Sequence, residues 1–425
     1  MILDDTWDRF RTWQYAERYL GSGTRSYSQF SEFLDISDAY HPQRGDRRFT
    51  VPTFRVPASR GEFLRNRVKS ALLDLYRDGD GFLLPVHPET LTAPHLPGRD
   101  ELLASERGPD LQVVPSANAR TVFVEEVGGE PVEPHFVKLH YPKRLSRFTR
   151  RLRRPIISLQ LWVAEELMDL GLPVLPEVAG GVLGDDPEEA WGFLIREAHA
   201  RAGVIVGHDG APPDDLGADP LHRTVPLFAL YGGDVRRPGD PPLVEQLVAR
   251  SGEDPAEWLA RRVVTPMVEL WLRAALRTGC TLELHGQNTL FSFDIDGRRS
   301  AVLYRDCALY VDPETRRRQG LDGELPPVNV ISRDIHLPRE HVFSLTYDSF
   351  MGHHALERLA QVASERLGVA PERLRRAARD AFAAHGGAAA PLPGSVFYYE
   401  DRLRPGGRWH LVDTGRPPAW RTTAS

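Results

Sequence analysis

Between Leu282 and Asp306 the sequence sets acids, an imidazole, two carboxamides and three guanidinium groups among apolar residues. The run Leu282-Glu283-Leu284-His285-Gly286-Gln287-Asn288-Thr289-Leu290-Phe291 reads as a strand carrying Glu283, His285, Gln287 and Asn288. Asp294-Ile295-Asp296-Gly297 supplies turn residues, and Val302-Leu303-Tyr304-Arg305-Asp306 returns as a second strand. Such a hairpin brings these groups together on rigid backbone, which suits a magnesium-bound nucleotide. Mg²⁺ takes hard oxygen ligands, commonly one or two protein carboxylates, with phosphate and water completing its shell. Glu283 and Asp306 fit that role, while His285 and Asn288 can hydrogen-bond phosphate. The histidine spacing has neither the HxxxH nor the HxH form of a metal-binding pair.

Phosphates need cations, and the middle of the chain has them. Lys138 sits between Val137 and Leu139, where an unpaired ammonium would be costly. Lys143, Arg144, Arg147, Arg150, Arg151, Arg153 and Arg154 follow without an intervening acid. The turn Asn118-Ala119-Arg120-Thr121 offers a guanidinium, a hydroxyl and backbone N–H groups to one ligand. Arginine forks and lysine point charges match phosphate oxygens. Taken singly, a basic run is usually a solvated face and a polar hairpin usually structural; the two together make a triphosphate site a sharper expectation.

These groups need elements to hold them. At 425 residues the chain is long enough for two or three domains, and its 41% apolar and 26% charged residues are those of a soluble globular protein. A net charge of -6 argues against a nucleic-acid partner. The two cysteines, Cys280 and Cys307, read as buried thiols in a reducing compartment. Residues 1–10 lack a secretory pattern and no apolar run reaches spanning length, so a cytoplasmic protein with no membrane partner is expected. Apolar spacing predicts helices over 4–20, 61–77, 156–171, 255–278, 346–367 and 371–385, with Pro266 kinking the fourth. Strands are expected at 49–54, 82–86, 111–114, 122–125, 136–140 and 191–195, a loop over 203–224, and a last hairpin pairing 396–399 with 409–412. Patterning alone gives a mixed α/β chain with mostly antiparallel strands.

Several segments stand in one order over residues 80–415: Pro85-Val86-His87-Pro88, Asn118-Ala119-Arg120-Thr121, Lys138-Leu139 with Arg150, Phe193-Leu194-Ile195-Arg196-Glu197, Glu283-Leu284-His285-Gly286-Gln287-Asn288 and Arg305-Asp306. This series resembles that of the siderophore synthetases that act without a nonribosomal peptide synthetase (NIS synthetases), the aerobactin-type IucA/IucC family. The resemblance implies an α+β fold with mainly antiparallel sheets in a three-part cupped hand. Its parts would be a thumb-like lobe over 1–105, a fingers-like ATP-phosphate-binding region over 106–250, and a palm-like domain over 251–425 that carries the hairpin.

It also implies ATP-dependent condensation: a carboxylate, commonly of citrate or a derivative, attacks the α-phosphate, and an amine or alcohol takes the resulting acyl adenylate. Residue types and resemblance together assign Arg120, Lys138, Arg150 and His285 to catalysis. Asn118, Arg120, Thr121, Lys138, Arg150, His285, Gln287 and Asn288 would bind ATP, and Glu283 and Asp306 would bind Mg²⁺. Family members often form homodimers. The chain departs from the pattern where Glu89-Thr90 replaces Trp-Gln, where the His41-Pro42 turn keeps only part of a longer basic motif, and where no lysine precedes Arg402-Leu403. These departures leave the acid and the nucleophile open. Two alternatives remain: a small-molecule phosphotransferase of the aminoglycoside-kinase type, although no aspartate follows His285-Gly286 directly, and a non-catalytic ATP-binding homologue.

Overall fold

The computed structural model describes residues 6–21, 35–145, 148–186, 188–199, 222–321, 323–326, 329–331, 337–400 and 410–422. The first helix, α1 (Arg9–Tyr19), starts where the Asp8 carboxylate accepts from the Arg11 amide at 2.7 Å, satisfying one of the amides a helix start leaves open. The strands that matter for the site are β1 (Phe49–Val51), β2 (Gly61–Arg65), β3 (Leu111–Pro115), β4 (Thr121–Val127), β5 (Glu130–Lys138), the ribbon β6 (Tyr141–Leu145) and β7 (Phe148–Arg150), then, after helix α2 (Arg154–Asp169), β8 (Glu177–Leu183) and β9 (Trp191–Glu197). They form a seven-stranded sheet in the order β1-β3-β4-β5-β9-β8-β2, with β6 and β7 apart from it. Every ladder of this sheet is antiparallel. The sheet draws β1 and β2 from before residue 105 and its other strands from after it.

The helix expected over 61–77 is not there. Residues 61–65 pair with 179–183 as the edge strand β2, the Asn66 carboxamide then donates to the Leu161 and Glu177 carbonyls, and a short 3-10 turn follows at Ala71–Leu75. Phe63, Val68, Leu72, Leu73 and Leu75 face one core from two kinds of backbone, so their spacing imitates a helix. The expected strand at 49–54 divides at Pro52, which has no amide to donate, into β1 and a strand Thr53–Val56 of another sheet.

The C-terminal half follows its sequence more closely. Asp254 caps Pro255–Leu259, a π turn spans Ala260–Val264, and α3 (Thr265–Thr278) runs on to Gly279, whose φ of 71° suits a helix stop that only glycine adopts freely. Pro266 lies just past the π turn, so the donor it lacks falls where the hydrogen-bond ladder changes register. Of the expected loop at 203–224, residues 203–221 lie outside the described residues. The remainder enters β10 (Arg223–Pro226), which pairs with β11 (Thr289–Phe293), itself paired with β12 (Ser300–Tyr304). Cys280 and Cys307 are free and buried. Among the described residues no helix is long and apolar enough to cross a membrane.

A compact apolar cluster joins these parts: Trp13 of α1, Phe123 and Phe136 of the large sheet, and Leu290 and Leu303 of the hairpin are all buried together. Trp13 meets Phe123 and Phe136 edge-on, with ring centroids 5.4 and 5.1 Å apart. Tight packing also governs the seam between β8 and β9, where a Cβ on Gly192 would strike the Gly181 carbonyl. Gly192→Ala is expected to cost about 1–3 kcal/mol through overpacking. Urea unfolding reads this directly, and an unchanged midpoint would refute it.

Candidate active site

The sheet register sets the first half of the site. Thr121, Lys138 and Leu194 are direct partners across β4, β5 and β9, and Phe123, Phe136 and Arg196 form the neighbouring rung, so all six side chains share a face. Arg196 is in turn the register partner of Glu177. Ahead of β4 the chain makes a tight turn. Asn118 accepts from the Thr121 amide at 2.8 Å through Oδ1 and donates to the Thr121 hydroxyl at 3.1 Å. Ala119 holds a φ of 64°, a conformation that L-residues rarely adopt. That bend presents Arg120, which is buried, beside Lys138.

The second half comes from the hairpin. The segment containing Glu283 and His285 is a turn rather than the expected strand, and β11 begins only at Thr289. His285 accepts from the Gln287 amide through Nδ1 at 3.2 Å, and its carbonyl accepts from the Asn288 and Thr289 amides. These local bonds compete with a strand ladder. Gly286 is required here because a Cβ would collide with the Tyr231 hydroxyl. His285 Nε2 lies 3.9 Å from Glu283, and its ring meets Phe350 edge-on at 5.7 Å. Gln287 is half-buried and Asn288 buried; among the described residues neither carboxamide has a hydrogen-bond partner, so both can serve a ligand.

The halves meet at one contact. Lys138 Nζ donates to Asp306 Oδ1 at 2.5 Å and to Gln160 Oε1 of α2 at 2.7 Å. Burial pushes the Lys138 ammonium down to about 8, with repulsion from Arg120 and Arg196 adding to it and attraction to Asp306 opposing. Burial alone would raise the Asp306 carboxyl, but the charges of Lys138 and Arg196, the Lys138 hydrogen bond and the charge of Arg120 outweigh it and hold this acid well below the carboxylate range. Asp306 also has a φ of 75°. Unfavourable backbone at both Ala119 and Asp306 places strain on the two sides of the same contact.

Arg150 is reached only in part. Its backbone pairs with Tyr141 beside a β-bulge, and its side chain lies outside the described residues. Among the described residues no group of three or more His, Cys, Asp or Glu could hold an ion. Glu283 and Asp306 do act on one buried hydroxyl, that of Tyr304, whose acidity is suppressed by burial first and then by Glu283, Cys307 and Asp306; it donates to the Asp306 carbonyl at 2.8 Å. Two carboxylates with phosphate and water filling the shell fit Mg²⁺.

Sequence reasoning left Gln160, the Arg196–Glu177 pair and Glu17 out of the site. Gln160 steadies Lys138 from α2. Arg196 binds Glu177 at 2.5 and 2.9 Å, both side chains being almost fully buried, and its charge reaches Asp306. Glu17 comes from α1. Arg196 stood in a motif; Gln160, Glu177 and Glu17 stand in no recognisable pattern. A cavity of about 860 Å³ beside β2 and α2 includes Arg65, Asn66, Lys69 and Trp162 in its lining, and none of the assigned site residues.

Compared with solved structures, the chain superposes on ATP-bound aerobactin synthetase IucA of Klebsiella pneumoniae with a TM-score of 0.70 at 15% identity, over 99% of this chain and 78% of that one. Petrobactin biosynthesis protein AsbB of Bacillus anthracis gives a TM-score of 0.66 at 12% identity, over 96% of this chain and 75% of that one. The fold is that of the siderophore synthetases. Aerobactin synthetase IucC of K. pneumoniae shares it, with a TM-score of 0.59 at 16% identity over 88% and 73% of the two chains. The expected α+β class with mainly antiparallel sheets is therefore the NIS-synthetase fold, reached at identities where sequence alone carries little. Residues 256–399 match a family model described as a ferric iron reductase FhuF-like transporter, a span that takes in all of α3, the hairpin and the helices behind it. No curated protein matches the chain by sequence.

Proposed function

We propose that this chain is an ATP-dependent ligase that adenylates a small carboxylic acid, citrate-like or another polycarboxylic or amino acid, and condenses it with an amine or alcohol in siderophore or related natural-product biosynthesis. The observation that carries this reading is the Lys138–Asp306 contact, with Arg120 and Arg196 acting on both partners. It unites cations of the sheet with an acid of the hairpin, in a fold shared with a synthetase whose structure holds ATP.

In this reading Arg120, Lys138 and Arg150 bind the phosphates, and Asn118 and Thr121 set the turn against them. Glu283 and Asp306 would hold Mg²⁺, which supplies Lewis acidity to phosphate oxygens when bound. A carboxylate oxygen of the acid forms a bond to the α-phosphorus as the bond to the bridging oxygen of pyrophosphate breaks. Fixed cations at the phosphates stabilise the charge that develops on the leaving group. The nucleophile then attacks the acyl carbon, the acyl–phosphate bond breaks, AMP departs, and a proton leaves the nitrogen or oxygen that has bonded. His285, buried beside Glu283, would hydrogen-bond the α-phosphate through these changes.

The test is a screen of di- and tricarboxylic acids against amines and alcohols, with ATP and Mg²⁺, read by mass spectrometry and pyrophosphate release. One pair giving equal amounts of AMP, pyrophosphate and an amide or ester is the expected result. ADP with a phosphorylated product would replace this reading with phosphotransfer. ATP binding without turnover of any pair would replace it with a non-catalytic homologue.

A further inference from the structure

Glu17 belongs to none of the segments assigned above, yet its carboxylate is completely buried. Oε2 accepts from the Ala117 amide at 3.2 Å, and Ala117 immediately precedes the Asn118–Thr121 turn. Oε1 accepts from Trp13 Nε1 at 3.2 Å and from Arg305 Nη1 in a short charge-assisted bond. Arg305 is equally committed: its Nε donates to the Gln287 carbonyl at 2.9 Å and its amide to the Asn288 carbonyl at 3.0 Å. One carboxylate therefore ties the turn bearing Asn118, Arg120 and Thr121 to the turn bearing His285, Gln287 and Asn288 and to the residue before Asp306.

Cohesion does not require this ion pair, because Trp13, Phe123, Phe136, Leu290 and Leu303 already pack α1, sheet and hairpin together. Exchanging a buried pair for apolar side chains is often neutral or stabilising, so its retention speaks for orientation. Its bonds are directional and end on the backbone of both turns. We infer that Glu17 is a positioning residue that sets the two halves of the nucleotide site in register. This inference rests on the ATP site of the proposed function, since only a ligand gripped by both halves would sense their relative placement.

Glu17→Gln keeps the shape but removes the charge that orients Arg305 and turns one of the two acceptor oxygens into an NH2 donor facing a donor; Glu17→Ala removes shape and both acceptors. Calorimetric ATP binding and the steady-state kinetics of pyrophosphate release are measured for each, with thermal unfolding alongside. Misplacement of about an ångström can cost on the order of 10²-fold. Glu17→Gln is expected to remain folded while the KM for ATP rises and kcat falls, together lowering kcat/KM by about 10- to 100-fold, with a larger loss in Glu17→Ala. Arg421→Lys, which disturbs the buried pair with Asp348 elsewhere, should lower the unfolding temperature without moving the KM for ATP. A folded Glu17→Gln protein with wild-type ATP affinity, KM and kcat would overturn the inference. Should the wild-type protein bind no ATP, the proposed function falls instead, so the two failures are distinguishable.

Discussion

Lys138→Ala is expected to lower kcat/KM for ATP by at least about 10²–10³-fold, the scale seen when one preorganised charge-stabilising group is removed from an active site. The wild-type protein should already foreshadow this in its pH profile. An ordinary lysine keeps its proton to about 10.5, whereas burial brings Lys138 down to about 8. Above that pH, kcat/KM for ATP, which reports on the free enzyme, should fall about tenfold per pH unit. Asp306→Asn removes the attraction that retains the proton, so ATP binding in that variant should weaken at lower pH than in the wild type. The stability linkage has the opposite sign. Between pH 8 and 10.5 the unfolded chain binds the lysine proton and the folded chain does not, so this group's contribution to stability rises with pH as activity falls. Circular dichroism should therefore stay constant across the range in which kcat/KM drops. An ATP profile flat to pH 10, or a Lys138→Ala enzyme with normal turnover, would remove Lys138 from the site.

Glu177→Ala should destabilise the fold by about 3–5 kcal/mol, because it strips the Arg196 guanidinium of its hydrogen-bonded counter-ion in the sheet interior. Arg196→Met makes the complementary cut and leaves Glu177 unpaired. Because each single variant pays for an uncompensated charge, the double variant should lose clearly less than the sum of the two. Urea unfolding of the three proteins and the wild type completes the cycle. Strict additivity, or a Glu177→Ala loss below about 1 kcal/mol, would show that the pair is not coupled. The consequence for function lies in Arg196, whose charge helps keep Asp306 ionised. Arg196→Met should therefore weaken ATP binding as well as stability, although Arg196 makes no hydrogen bond to Asp306 among the described residues.

Much of the site was legible residue by residue. Lys138 inside an apolar strand could be explained only by burial with a partner, and Asp306 is that partner. The Asn118–Thr121 turn is marked by an asparagine that bonds its own backbone three residues on. Helices with local caps, such as Pro255–Leu259 behind Asp254 and α3 ending at Gly279, were legible for the same reason: their start and stop chemistry lies within a few residues. The 61–77 segment misled because helical spacing and a strand followed by a 3-10 turn can present the same residues to one core. The choice fell to β8, whose backbone needed a partner along 179–183. The run at 282–288 misled in the other direction, since bonds of the His285 ring and carbonyl to nearby amides outweighed its alternating pattern.

By itself, the sequence determined which chemical groups this protein has and the order in which they occur: cations in the middle, acids and carboxamides on a later hairpin, caps and turns around them. Only the tertiary structure decided which of them meet. Glu17 and Arg305, Glu177 and Arg196, and Lys138 and Asp306 are all joined in space, the first and last pairs across long stretches of chain. Residue type and local spacing report short-range hydrogen bonding and periodic burial. A buried charge finds its partner through sheet register and the packing of α1 against the hairpin, and those are set by the whole chain at once.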